Sequence, residues 1–194
     1  MPVTQLEPAT TALVLIDLQR SVVAMPVEPH SAASVVANSV ALADAFREAG
    51  GLVVLVHVFT SPDGGDALRS LVDRPRPASV PAPGAAEIVP ELRPDDRAIV
   101  VRKRNWGAFY GTDLDLQLRR RGVRTVVLGG IATTMGVEST ARSAHEHGYH
   151  VVLVEDAMSG LVAAEHAFSV EHVFPRIGRV TSTAEVLAAL RTGR

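Results

Sequence analysis

Six short apolar segments, separated by helical patterns, constrain the possible fold more than any other feature of this chain. The first five are rich in Val, Ile and Leu and do not alternate apolar with polar residues, and the sixth is weaker. Such continuous runs are typical of parallel strands that are covered on both faces. The segments span residues 12–19, 51–59, 96–103, 124–131, 150–157 and 176–180. Their alternation with helices predicts an α/β fold, a doubly wound and mainly parallel six-stranded sheet with helices on both faces.

Composition and charge narrow the classes of protein to which the chain can belong. With 194 residues, 47% of them hydrophobic and 21% charged, we expect a single globular domain over residues 1–194. The formal net charge of −2 argues against nucleic acid or an anionic membrane as a partner. No apolar run approaches the roughly 20 residues of a membrane span, and no basic segment precedes the first apolar run. The expected location is the cytoplasm.

The absence of cysteine removes several kinds of chemistry at once. A chain without cysteine has no disulfides, no thiolate metal site and no cysteine nucleophile. The histidines do not form a zinc motif by their spacing. Three of them straddle a helix end and a strand start, and two are predicted to lie on a helix surface: His145, His147, His150, His166 and His172. The first strand–helix turn has no glycine for a dinucleotide, so we predict neither a metal nor a cofactor.

Candidate site residues follow the predicted strands, because ligands in open α/β sheets bind beyond the carboxyl ends of the strands. The ends of the first three strands carry Asp17, Gln19, His57, Phe59 and Lys103. An acid and a cation at one sheet edge predict an ion pair or an acid/base pair, since a buried unpaired charge is costly. The structural alternatives are that Asp17 caps a turn, that Lys103 extends to solvent and that His57 is a semi-buried histidine.

Substrate binding is predicted for an aromatic segment and a long loop. Trp106, Phe109 and Tyr110 follow Lys103, and they suit the lining of a pocket as well as the packing of a subunit interface. The loop over residues 60–84 is rich in Pro, Gly and Asp, and loops of this length are often functional. Three of its arginines are candidates to pair with substrate carboxylates, unless they are simply solvated: Arg69, Arg74 and Arg76.

Four segments together resemble the isochorismatase-like, or cysteine hydrolase, superfamily. They are LVLIDLQ, KRNWGAFYGTDLDLQLRRRG, LGGIATTMGVESTARSAHEHGYHVVLVEDA and HAFSVEHVFPRIGRV, and they cover nearly the whole chain. The family includes amidases, such as nicotinamidases and carbamoylsarcosine hydrolases, and isochorismatases, which cleave a vinyl ether. The resemblance implies a Rossmann-type three-layer fold, a small-molecule substrate and a homo-oligomer, a dimer or a tetramer.

The resemblance also implies roles for individual residues. Asp17 matches the family aspartate that moves protons, and Lys103 matches the lysine beside it. Ile131 and Ala132 match a cis peptide that shapes an oxyanion hole, and Thr133 follows them. Gly136 matches the position where the amidases carry their nucleophilic cysteine. The Asp-x-His metal motif of nicotinamidases is absent after the second strand, which reads VHVFTSPDGG.

Gly136 decides between the branches of the family. Amide hydrolysis through an acyl-enzyme needs a nucleophile there, whereas vinyl-ether hydrolysis needs only an acid and water, and isochorismatases of this family also carry glycine. We therefore predict a hydrolase with Asp17 as acid/base and Lys103 as electrostatic partner, and the missing side chain is expected to leave room for substrate or water. Burial favours the protonated carboxyl of Asp17 and a cation beside it favours the carboxylate, and the sequence leaves this open.

Two other functions remain open at this point. One is non-catalytic binding of a small molecule, and the other is an amidase with an unusual nucleophile from nearby hydroxyls, namely Thr133, Thr134 or Ser139. The turn before Gly136 reads IATTM, without the tyrosine and histidine that isochorismatases usually carry there. The physiological substrate therefore stays open.

Overall fold

A computed structural model describes residues 5–74, 82–92 and 94–191 of the chain. These residues form six strands, β1 to β6, which span Thr11–Ile16, Leu52–Val58, Ile99–Lys103, Thr125–Ile131, His150–Ser159 and Arg179–Thr181. All neighbouring pairs are parallel, and the order across the sheet is β3-β2-β1-β4-β5-β6. The predicted doubly wound sheet is confirmed, and it is entirely parallel in these residues.

Seven α-helices, α1 to α7, connect the strands or follow them within the described ranges. They span Arg20–Val23, Ala32–Glu48, Leu114–Arg120, Glu138–Glu146, Ala163–Phe168, Phe174–Ile177 and Thr183–Arg191. Two π-helical turns, Thr133–Val137 and Ser169–Val173, lead into α4 and α6. None of the helices in this part of the chain is both long and apolar enough to cross a membrane.

Residues 85–92 have a helix-like sequence, AAEIVPEL, but they form only a short 3-10 turn, Pro90–Leu92. Pro90 has no N–H for a helical hydrogen bond, and its ring disfavours helical geometry at Val89. The segment instead runs alongside the residues that follow β1. The backbone N–H of Val89 donates to the carbonyl of Leu18, and Gln19 forms an isolated antiparallel bridge with Ile88.

The sheet separates two apolar cores, which explains why its strands are continuously apolar. All six residues of β1 are buried, and alternate side chains point to opposite faces. Leu13 and Leu15 belong to the core on the side of α2 and α7. Val14 and Ile16 belong to the core on the side of α3, α4 and α6. A strand covered in this way is rigid, so the residues that follow it are held in fixed positions.

The parallel register brings the carboxyl ends of the central strands to one edge. Ile16 at the end of β1 pairs with Val56 of β2 on one side and with Gly130 of β4 on the other. Lys103 at the end of β3 pairs with Val58 of β2. The residues after these strands therefore converge at the edge where the rule for open α/β sheets places a ligand.

Candidate active site

A cavity of about 710 Å³ lies beyond the carboxyl ends of β1, β2, β3 and β4. Its lining includes residues of the loop over residues 60–69 and of the turn from Ile131 to Gly136. Its walls are mainly apolar, and the charged groups on them include Asp17, Lys103, Arg69 and Arg104. Small-molecule sites have this character, mostly apolar with a few polar groups that fix orientation.

Asp17 and Lys103 form a buried ion pair at the floor of the cavity. The Oδ2 of Asp17 lies 2.7 Å from Nζ of Lys103, and their side chains are 11% and 2% exposed. The Nζ of Lys103 also donates a hydrogen bond to the carbonyl oxygen of Trp106. A lysine this deeply buried is stable only with such partners, because an unpaired ammonium pays its full desolvation cost. The predicted acid and cation therefore meet, and Lys103 does not extend to solvent.

The backbone at Asp17 fixes the direction of its carboxylate. Asp17 has a φ of +52°, in the left-handed region that few residues other than glycine adopt, although aspartate tolerates it. Its N–H donates to the carbonyl of Val56, and its own carbonyl accepts from the N–H of Gln19, both at 2.8 Å. This geometry ends β1 and leaves the carboxylate on the wall of the cavity.

Gly136 lies directly against the ion pair. A Cβ added to Gly136 would lie 3.2 Å from Oδ2 of Asp17 and 3.3 Å from Nζ of Lys103. It would also lie 2.7 Å from Cγ2 of Ile16, closer than real Cβ atoms come. The expectation that the missing side chain leaves room is therefore wrong at the Cβ position, which these three side chains already surround. The glycine lets the acid, the cation and the first strand approach the turn closely.

The turn before Gly136 has the predicted unusual backbone. The peptide bond between Ile131 and Ala132 is cis, as the resemblance implied, and both residues line the cavity. Gly130 has a φ of +123°, and a Cβ there would lie 2.1 Å from the carbonyl oxygen of Ile16. No other residue fits at Gly130, because both its backbone conformation and its distance from β1 require the absence of a side chain.

Four of the residues predicted to bind substrate line the cavity: Trp106, Ile131, Ala132 and Arg69. The indole of Trp106 is about half exposed. The guanidinium of Arg69 donates to the carbonyl of Gly64 at 2.9 Å, which holds it on the loop wall. Arg74 lies outside the cavity lining, and Arg76 lies outside the described residues.

The other five predicted binding residues lie near the cavity but not on its surface: Gln19, His57, Phe59, Phe109 and Thr133. The side chain of Gln19 bonds to both backbone groups of Val58, accepting from its N–H at 2.8 Å and donating to its carbonyl at 3.3 Å. Phe109 packs against the rings of His147 and Tyr149, at centroid distances of 5.1 and 5.9 Å. These contacts of Gln19 and Phe109 support packing and positioning, not contact with a ligand.

His57 and Phe59 also have structural contacts. The Nδ1 of His57 lies 2.8 Å from the carbonyl oxygen of Ala86, and the guanidinium of Arg102 lies 5.4 Å from the ring centroid of Phe59. Burial lowers the pKa of His57, the contact with Ala86 raises it and the charge of Arg102 lowers it again, so that the pKa ends below its usual value. His57 is therefore the neutral, semi-buried histidine of the alternative interpretation.

A second acid–cation pair at the rim of the cavity was not predicted. The guanidinium of Arg104 bonds to the carboxylate of Asp66 in the loop. Asp66 also accepts from the N–H of Ser61 at 2.6 Å and from its hydroxyl at 3.0 Å. The N–H of Ser61 first, and then Arg104, lower the pKa of Asp66 to about 2. Arg104 follows Lys103 directly, so the strand end positions both cations.

A third group of polar side chains lies behind the turn, at His30, Glu155 and His166. The Oε1 of Glu155 lies 2.6 Å from Nε2 of His30 and 3.1 Å from Nε2 of His166. The Nδ1 of His166 lies 2.8 Å from Oγ1 of Thr133. The prediction that His166 lies on a helix surface is wrong, because its side chain is only 3% exposed. It is buried because α5 faces β5 and the turn, a tertiary contact that its own sequence does not reveal.

Burial and hydrogen bonding set the charges in this group. Burial lowers the pKa of His166 more than its contact with Glu155 raises it, so the imidazole is neutral at pH 7. Burial raises the pKa of Glu155, but the hydrogen bonds from His30 and His166 outweigh it, and the net pKa is lowered. The three groups also satisfy the distance requirement for a shared metal ion.

Comparison with known proteins agrees with the fold and with the sequence resemblance. Residues 11–185 match the isochorismatase domain family. The uncharacterized isochorismatase family protein YecD of Escherichia coli O157:H7 is 48% identical over 186 residues, covering 96% of this chain and 99% of that protein. The ureidoacrylate amidohydrolase RutB of Agrobacterium fabrum is 30% identical over 214 residues, covering 96% of this chain and 93% of that protein.

A solved structure extends this similarity to three dimensions. An isochorismatase family protein from Burkholderia thailandensis superposes with a TM-score of 0.92 at 45% sequence identity. The superposition covers 98% of this chain and 99% of that protein. The parallel sheet and its helices are therefore the architecture of that structure as well.

Proposed function

This chain belongs to the isochorismatase family of hydrolases, and we propose that it cleaves a small vinyl ether bearing a carboxylate, by acid catalysis and without a covalent intermediate. The observation that carries the proposal is the contact between Gly136 and the Asp17–Lys103 pair. The position that faces the acid and the cation has no side chain to attack a substrate. The acid and the cation themselves are present and buried.

The two reactions considered for this family make different demands on that position. Hydrolysis of an amide through an acyl-enzyme needs a thiolate or an alkoxide as nucleophile. Hydrolysis of a vinyl ether begins with protonation of the terminal carbon, which gives an oxocarbenium-like cation. Water then adds to that cation, and the resulting hemiketal releases an alcohol and a ketone. The second reaction needs a positioned acid and a water molecule, and it needs no nucleophile from the protein.

The geometry of the Asp17–Lys103 pair fits the role of that acid. At 2.7 Å the two groups are directly hydrogen-bonded, so we assign the acidic proton to the pair rather than to one residue. Asp17 delivers it to the vinyl carbon, and the carboxylate of Asp17 and the carboxylate of the substrate then stabilise the cation. The attacking water returns a proton to Asp17, so the pair is restored at the end of each turnover.

The cavity wall supports a substrate that carries a carboxylate. Arg69 lines the cavity, and a guanidinium binds a carboxylate through two parallel hydrogen bonds. The half-exposed indole of Trp106 offers an apolar face for the remaining part of the substrate. A vinyl ether of pyruvate, as in isochorismate, combines these features, and we propose this class of substrate.

The test is the release of pyruvate from isochorismate by wild type and by Asp17→Ala. We expect release by wild type and none above background by the variant. Asp63→Asn is the control, because Asp63 also lines the cavity but accepts the N–H of Gly65 within its own loop. Equal rates for wild type and Asp17→Ala would refute the assigned role. Lack of release by wild type would refute isochorismate as the substrate.

Amide hydrolysis is the second candidate, because the relative RutB is an amidohydrolase and because Thr133 has a possible base. The hydroxyl of Thr133 lies 2.8 Å from Nδ1 of His166, which in turn lies near Glu155. Thr133 is fully buried, however, and it does not line the cavity. Assays with ureidoacrylate and with Thr133→Val would decide, since a nucleophilic Thr133 predicts loss of amide hydrolysis in that variant.

We also propose that the chain forms a homo-oligomer through its aromatic segment. Trp106 and Tyr110 are 51% and 79% exposed, and exposed aromatic surface of this kind is common at interfaces. Sedimentation of wild type and of Tyr110→Glu tests this proposal. A dimer or tetramer for wild type and a smaller species for the variant would support it, whereas a monomeric wild type would refute it.

A further inference from the structure

We propose that His30, Glu155 and His166 bind one divalent transition-metal ion, for which Zn²⁺ is the best match. These residues come from the loop before α2, from β5 and from α5. None of them lines the cavity described above. The proposal therefore does not depend on the reaction assigned to Asp17 and Lys103.

The distances between the three possible ligand atoms carry the proposal. The Oε1 of Glu155 is already close to both Nε2 atoms, at 2.6 and 3.1 Å, and all three atoms lie within 4.8 Å of one another. With zinc–ligand bonds of about 2.0–2.2 Å, tetrahedral ligand atoms lie about 3.3 Å apart. To hold an ion, the two contacts of Glu155 would lengthen slightly, and the nitrogens of the two histidines would take up the same spacing.

His166 is oriented as a metal-binding histidine is. Its Nδ1 lies 2.8 Å from the hydroxyl of the buried Thr133, while its Nε2 points to Glu155. Histidines that bind a metal through one nitrogen almost always donate from the other nitrogen to an outer partner, which fixes the ring. A hydroxyl can accept as well as donate, so Thr133 suits His166 with or without an ion.

The backbone holds the His30 loop against the end of β5. Glu28 and Gly160 form an antiparallel bridge, with hydrogen bonds of 2.9 and 2.8 Å between their backbone groups. The side chain of His30 is 29% exposed and that of Glu155 is 33% exposed, whereas His166 is 3% exposed. An ion can therefore enter from solvent between His30 and Glu155, with His166 at the base and water as a fourth ligand.

The combination of donors selects the class of ion. Two imidazoles and one carboxylate suit Zn²⁺ and its neighbours Co²⁺ and Ni²⁺, whereas Mg²⁺ and Ca²⁺ prefer sets of oxygen ligands. Metal binding displaces protons from such groups, so Zn²⁺ would replace the protons that His30 and His166 share with Glu155. The alternative is that these protons remain and that the cluster is a hydrogen-bond network only.

The experiment uses the full-length protein without a histidine tag, stripped of metal by a chelator. Zn²⁺ is titrated by competition with a chromophoric chelator, and Co²⁺ is added separately to record its visible absorption. We expect one Zn²⁺ per chain and no comparable binding of Mg²⁺. His30→Gln and Glu155→Gln should weaken Zn²⁺ binding by more than the roughly 10- to 100-fold that loss of an outer partner causes.

His172→Gln is the matched control, since His172 also has a carboxylate neighbour, Glu171 at 3.9 Å, but lies exposed outside the cluster. It should bind Zn²⁺ as wild type does. His30 is partly exposed, so His30→Gln should fold, and circular dichroism of the metal-free protein verifies this. The proposal would be overturned if wild type bound Zn²⁺ no more tightly than His30→Gln does, or if Glu155→Gln left the Co²⁺ spectrum unchanged. The cluster would then be a hydrogen-bond network only.

Discussion

Two consecutive residues, Lys103 and Arg104, each pair with an aspartate, and the two ion pairs differ in burial. Lys103 and Asp17 are 2% and 11% exposed, at the floor of the cavity. Arg104 and Asp66 are 46% and 27% exposed, at its rim. Lys103 is the last residue of β3 and Arg104 follows it directly, so the end of this strand supplies one cation to the core and one to the loop.

The difference in burial predicts a difference in role. Charges that are removed from water interact strongly and are held in fixed positions, so a buried pair can deliver a proton to a bound substrate. Exposed pairs contribute little, because solvent and salt screen them. We therefore propose that the pair at Asp17 takes part in the chemistry and that the pair at Asp66 holds the loop in position.

The largest expected difference between the two pairs is in turnover. Asp17→Asn keeps the shape of the side chain but removes its acid, so kcat should fall by about 10²- to 10⁴-fold, the usual contribution of general acid–base catalysis. Substrate affinity, measured by calorimetry, should stay close to that of wild type. Asp66→Asn is the matched substitution at the rim and should retain most of kcat. Equal losses of kcat in the two variants would remove the distinction.

The next difference is in stability. Lys103→Met leaves the carboxylate of Asp17 buried without its cation, and breaking a buried pair in this way costs about 3–5 kcal/mol of the free energy of unfolding. Urea denaturation measures this loss. The double variant Asp17→Asn/Lys103→Met should be more stable than Lys103→Met alone, because no uncompensated charge remains.

Arg104→Met provides the comparison for that measurement. Its effect on the free energy of unfolding should be much smaller, because both partners are accessible to water. A loss for Arg104→Met as large as that for Lys103→Met would show that burial does not distinguish the pairs.

A smaller effect is expected at the glycine that contacts the buried pair. Gly136→Ala places a Cβ 2.7 Å from Cγ2 of Ile16, and overpacking of this kind costs about 1–3 kcal/mol. It should also disturb the Asp17–Lys103 contact and lower kcat. Gly107→Ala is the control near the same cavity, since its Cβ would meet no atom closer than 3.4 Å. Equal stability of the two alanine variants would contradict the close packing at Gly136.

The smallest effect concerns the pH dependence of the rim pair. The pKa of Asp66 is lowered from 3.8 to about 2, so its contribution to stability is fully present above pH 3.8 and is lost as the pH falls through about 2. Thermal unfolding of wild type and Asp66→Asn should therefore differ by a constant amount at neutral pH and converge in acid. A difference in thermal stability between the two proteins that grows as the pH falls would contradict the lowered pKa of Asp66.

The sequence predicts the buried pair better than the rim pair, for a physical reason. Asp17 and Lys103 directly follow buried strands, and the rule that parallel strands end at one edge brings them together without knowledge of any loop. The Asp66–Arg104 contact depends on the conformation of the loop over residues 60–69, which local sequence does not determine. The contact of Gln19 with Val58 is equally hard to predict, because it depends on how the segment after β1 is placed beside β2.

The cluster behind the turn was the least predictable part. Glu155 lies 125 residues after His30 and 11 residues before His166, and no motif links the three. The helical pattern around His166 suggests an exposed face, and only the packing of α5 on the turn at Thr133 buries it. Tertiary contacts between distant segments decide such sites, and periodicity and spacing carry no information about them.

The most direct test of the central claim compares kcat/KM for a vinyl ether of pyruvate with kcat/KM for an N-carbamoyl amide of similar size. Mass spectrometry of the protein during turnover shows whether a covalent adduct forms. Acid catalysis at Asp17 and Lys103 predicts hydrolysis of the vinyl ether, little hydrolysis of the amide and no covalent adduct. Faster hydrolysis of the amide, with an acyl group found on the chain, would contradict a mechanism without a nucleophile.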